Sequence, residues 1–132
     1  MYTDDRNAYR QYFFMLWQKY QKKLPLEAAE TQLLDIKLQH PEYHLFLENP
    51  KQFANQDFAL EENPFFHMSL HLAVREQIAT QRPVGIEAVF ERLMSTHNDR
   101  LQVEHLMMER LIYFMQTGQQ NDQEYLQALK DL

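Results

Sequence analysis

Six histidines are spread along a chain of 132 residues that also carries nineteen acidic side chains and no cysteine. His67 and His71 are four apart, so on a helix they project from one face, a turn apart. His44 and Glu48 repeat that spacing, and so do His105 and Glu109. Pairs of neutral imidazoles or carboxylates at this spacing can clamp a transition metal. The expected ligand set is therefore His44, Glu48, His67, His71, His105 and Glu109, in the order His-x-x-x-Glu, His-x-x-x-His, His-x-x-x-Glu. Helical bundles build carboxylate-bridged metal sites from inward pairs of this kind. A mixed nitrogen and oxygen set suits iron, zinc or manganese, and the two glutamates favour iron. Two irons would bring oxygen or peroxide chemistry or sensing. One zinc would activate water or simply stabilise the fold. No catalytic residue is assigned.

On a helical wheel His67 and His71 fall among Leu70, Val74 and Ile78, while Ser69, Glu76 and Thr80 lie on another arc. The pair is expected to point inward, where an imidazole needs a hydrogen-bond partner or a metal. If His44 lies too far from His67, a smaller set of His67, His71, His105 and Glu109 is left. His40, just before Pro41, is expected to cap a helix or face water, and His97 to sit on the surface. Arg75 and Glu76 read as ion-pair partners of neighbouring helices. Tyr113 reads as a packed aromatic, and Met94, Met107, Met108 and Met115 as core filler.

Helices must position these pairs. Eighteen leucines against four valines and four isoleucines favour helix over strand, because side chains unbranched at Cβ lose less rotamer freedom there. Two glycines leave few tight turns for a β protein. Pro25, Pro41, Pro64 and Pro83 each stand where a helix could begin, while Pro50 stops the segment before it. The pattern predicts helices over about 4–22, 26–39, 41–48, 64–81, 86–96, 98–117 and 122–132. Thr3 is a candidate cap for the first, Asn63 for the fourth, and Gly118 a fitting terminator for the sixth. Tyr9, Phe13, Leu16, Trp17 and Tyr20 form the expected buried stripe of the first helix, and Leu26, Ala29, Leu33 and Ile36 that of the second. The stretch 49–62 lacks a helical pattern. The expectation is all-α: a compact bundle of six to seven helices in a single domain, 1–132.

The formal charge of −6 with no basic cluster argues against nucleic-acid binding. No apolar run approaches the roughly 18 residues of a membrane span, and an acidic start without an apolar segment points to the cytoplasm. Phosphate loops, nucleotide-binding glycine patterns and serine-nucleophile elbows are missing, so no nucleotide cofactor is expected and the small-molecule ligand is unassigned.

Three stretches carry a family resemblance: His40-Pro41-Glu42-Tyr43-His44, then 63–77 (Asn63-Pro64-Phe65-Phe66-His67 through Gln77), then Glu104-His105-Leu106-Met107-Met108-Glu109. With Arg82-Pro83-Val84-Gly85-Ile86 between them, the chain resembles the bacterial family catalogued as domain of unknown function 1841. That resemblance implies a small intracellular bacterial protein and no particular activity. The ligand order is also similar to that of hemerythrin-like oxygen-binding bundles. It departs from them in having no histidine on the first helix and in placing Glu109 four, not five, residues after His105. The rival expectation is an interaction module whose histidines form a polar network fixing helix register. The acidic surface, the Gln-rich end (Gln116, Gln119, Gln120, Gln123, Gln127) and a homodimer face around Tyr12 and Phe14 motivate it.

Overall fold

The structure, a computed structural model, describes residues 2–53, 56–59, 62–118 and 121–132. Among them every regular element is a helix. In chain order these are α1 (Tyr2–Gln21), α2 (Ala28–Leu38), a 3₁₀ turn (Pro41–Tyr43), α3 (His44–Glu48), α4 (Pro50–Phe53), α5 (Pro64–Thr80), α6 (Ile86–His97), α7 (Arg100–Thr117) and α8 (Asp122–Lys130). That is more than the six to seven expected, because Pro50 ends one segment and also opens α4 as its first residue. The helices fall into two compact units, Met1–Ser69 and Leu70–Leu132, with α5 beginning in the first and ending in the second.

In the first unit, α1 buries Arg10, Phe13, Phe14, Leu16 and Trp17. The buried arc runs through positions 10, 13, 14 and 17, so the expected stripe was rotated too far toward Tyr9 and Tyr20, which are 47% and 41% exposed. Phe14 is 1% exposed and so belongs to the core rather than to an outer face, whereas Tyr12 is exposed. Thr3 lies inside α1 and is not its cap. The Arg10 guanidinium stands 4.7 Å from the Phe65 ring centroid and donates to the Phe53 and Gln56 carbonyls at 3.1 and 2.7 Å. It thereby ties α1 to the chain that follows α4.

Helix α2 starts three residues after Pro25, where Glu30 reaches back to accept from the Glu27 N–H at 2.9 Å. It buries Leu33, Leu34, Ile36 and Lys37, while Ala29 is exposed. Lys37 has no exposed surface; its Nζ donates to the Phe13 carbonyl at 2.6 Å, and burial brings its ammonium down to about 7.

Helix α5 opens as its sequence demands. Pro64 takes the first position, and Asn63 Oδ1 accepts from the Phe65 and Phe66 N–H groups at 2.9 and 3.1 Å. In the second unit, Pro83 lies in the turn before α6 rather than in its first turn, and Gly85 meets a left-handed φ of 101° there. Asp99 caps α7, accepting from Gln102 N–H, and Gly118 (φ 71°) ends it. The unit's core includes Ile86, Val89, Leu93, Val103, Met107, Met108, Phe114, Tyr125 and Leu129. Tyr125 donates to Gln77 Oε1 at 2.8 Å. Met115 and Tyr113 are 56% and 55% exposed, so neither is the packed residue expected: Tyr113 points away from the arc that carries Met107, Met108 and Phe114, and Met115 lies in the last turn of α7. Gln119 and Gln120 lie outside the described residues; Gln116, Gln123 and Gln127 are exposed.

Candidate functional site

In the first unit, α2 ends two residues before a histidine that its own buried stripe leads to: Leu33, Ile36, Lys37, then His40. His40 takes the cap position of the 3₁₀ turn, as expected, but without a side-chain cap hydrogen bond, and at 4% exposed it does not face water. Its Nδ1 lies 2.7 Å from the Ile36 carbonyl oxygen, which can only accept, so Nδ1 carries the proton. The neutral ring then holds its lone pair on Nε2. Tyr43 stacks on this ring with an interplanar angle of 2°, and His67 meets it edge-on at 5.1 Å between centroids.

In the second unit, α5 and α7 bring together His71, Arg75, Glu104 and His105. His71 and Glu104 have no exposed surface, and Arg75 is 5% exposed. Glu104 Oε1 lies 2.8 Å from His71 Nδ1, while Oε2 accepts from Arg75 Nε at 2.9 Å and Arg100 Nε at 3.0 Å. Burial by itself pushes the Glu104 carboxyl up. The hydrogen bonds from His71 and Arg75, with the Arg75 charge, outweigh it and hold the carboxyl below its ordinary value. An ionised carboxylate only accepts, so His71 Nδ1 carries the proton and Nε2 the lone pair. That Nε2 stands 3.1 Å from His105 Nε2.

Both buried rings are thus held in the same way. Each gives Nδ1–H to a fixed oxygen and presents Nε2, the arrangement in which imidazole ligates a metal. The histidines whose ring nitrogens are placed to hold an ion are His40 and His67 in the first unit and His71 and His105 in the second. Along α5 His67 and His71 stand one helical turn apart; His67 is half-buried and His71 fully buried.

The other expected ligands have different surroundings. His44 is half-buried; its Nε2 lies 3.0 Å from the Lys37 carbonyl and its ring packs on Trp17 at 4.5 Å. Glu48 and Glu109 are exposed. None of these three is among the residues named above as placed to hold an ion. Arg75 forms the ion pair expected of it, and Glu76 is exposed. His97 is half-buried.

Two residues of these clusters escaped the sequence reading, His40 and Glu104. The signal for each was position on a buried stripe. His40 follows Ile36 by four, and Glu104 precedes Met107 and Met108 by three and four. Reading four-residue pairs selected instead His44, which begins another helix, α3, and Glu109, which is exposed.

Residues 5–130 match the family described as Domain of unknown function (DUF1841). No curated protein and no solved structure matches the chain. No helix among the described residues is long and apolar enough to cross a membrane.

Proposed function

We propose that this chain, which belongs to the DUF1841 family, binds a divalent transition metal through the Nε2 atoms of His71 and His105 in its second unit. The supporting observation is the tethering of His71, whose Nδ1 is held on Glu104 while its Nε2 stands 3.1 Å from His105 Nε2. An imidazole so fixed loses little further freedom on taking a metal. An all-imidazole set suits zinc, copper, nickel or iron more than manganese, magnesium or calcium, which prefer oxygen. A single zinc-like ion fits this set best. A two-iron centre with oxygen or peroxide chemistry needs bridging carboxylates; Glu48 and Glu109 are exposed, and Glu104 is engaged by two arginines.

Calorimetric titration of chelator-treated protein with zinc tests the reading. It predicts saturable binding that His71→Ala and His105→Ala each weaken strongly. Equal binding by wild type and both variants contradicts it.

A second reading, self-association without metal chemistry, is favoured by the outer side of α1, where Tyr9, Tyr12, Met15 and Tyr20 are each 41–54% exposed. Sedimentation that finds a dimer in metal-free protein, dispersed by Tyr12→Ser with Met15→Ser, supports it; a monomer at all concentrations contradicts it.

A further inference from the structure

We infer that Glu104 is the positioning residue of the proposed metal site: it fixes the protonation of His71 so that Nε2 is the coordinating atom, and Arg75 and Arg100 keep Glu104 itself from becoming a ligand. The inference rests on the metal reading above. His71 alone could exchange its proton between two ring nitrogens, and only one of them faces His105. Glu104, with no exposed surface and 2.8 Å from Nδ1, removes that freedom. Its second oxygen is claimed by Arg75 Nε at 2.9 Å from one side and Arg100 Nε at 3.0 Å from the other.

Those two donors also make the carboxylate hard to replace. In Glu104→Gln both arginines demand an acceptor where Oε2 stood, so the amide oxygen turns toward them. The amide NH₂ then faces His71 Nδ1, which can satisfy it only as an acceptor. The proton moves to Nε2, the coordinating atom, and must be displaced before a metal can bind. The side chain keeps its shape while the ligand is set the wrong way round.

Two readouts test this apart from the metal reading. The first is the two-bond ¹H–¹⁵N spectrum of His71 in chelator-treated, ¹⁵N-labelled protein, which distinguishes a proton on Nδ1 from one on Nε2. Wild type is expected to carry it on Nδ1 and Glu104→Gln on Nε2; a wild-type ring with a bare Nδ1 overturns the inference whether or not metal binds. The wild-type spectrum decides this even if the variant does not fold. The second is titration with Co²⁺ followed in the visible. Affinity in Glu104→Gln is expected to fall by about 10–100-fold while the d–d bands keep their positions, because the first ligands are unchanged. Unchanged affinity in the variant, or shifted bands, overturns the positioning role. Wild type that binds neither Co²⁺ nor Zn²⁺ while showing the expected Nδ1 proton overturns the metal reading instead, and this inference with it.

Discussion

His71 Nε2 stands 3.1 Å from His105 Nε2. With His71 Nδ1 committed to Glu104, the two facing nitrogens must share a proton or a cation. The two rings differ in setting, His71 fully buried and His105 exposed. One member of the pair can therefore be removed without opening the core.

His105→Ala separates binding from folding. An exposed substitution away from packing changes stability by about 0.5 kcal/mol or less. Zinc affinity is expected to fall by more than the roughly 10–100-fold typical of a hydrogen-bonded supporting partner. Urea denaturation and zinc titration of the same variant check both halves. A large stability loss with unchanged zinc binding contradicts the assignment.

Lys37 sets a pH dependence. Burial lowers its ammonium from 10.5 to about 7, so between those values the unfolded chain holds more protons than the folded one. Stability contributed at this position is present above 10.5 and is lost as pH falls to about 7, with a slope of at most about 1.4 kcal/mol per pH unit. Lys37→Met is expected to be more stable than wild type at neutral pH, by a margin that narrows toward pH 10. Denaturation midpoints of the two proteins that run parallel across this window contradict the account.

Asn63→Ala removes the acceptor for two N–H groups at the start of α5 and should lower stability by about 1 kcal/mol. Asn63→Ser should recover most of it. Chemical denaturation of the three proteins reads the difference, and no difference between Ala and Ser would show that the cap is not what holds this end.

Arg10→Met keeps much of the apolar stem but leaves the Phe53 and Gln56 carbonyls without their charged donor. The expected loss is about 2–3 kcal/mol. Hydrogen exchange should rise around residues 50–58 if this contact fastens that segment, and unaltered protection there contradicts it.

Much of the architecture was legible because local chemistry fixes it. Asn63-Pro64 and Gly118 mark helix ends through backbone groups that only a few residue types can satisfy, and each appears where the sequence puts it. Which arc of α1 is buried was less legible. Arg10 and Lys37 are both polar by type, and their burial depends on carbonyls of Phe53, Gln56 and Phe13 that are distant in the chain. The histidine spacing on α5 was readable, and so was the inward turn of His71. The partners were not. The Glu104 carboxylate lies beside His105 in sequence but, unlike it, on the buried arc of α7, and only the Arg75 and Arg100 contacts make its burial tolerable.

The most direct test of metal binding is elemental analysis of untagged protein purified without chelator, normalised to chain concentration and repeated after exposure to added zinc. The account predicts close to one transition-metal ion per chain, lost in His71→Ala. Folded wild type that carries no metal and takes up none from added zinc contradicts it.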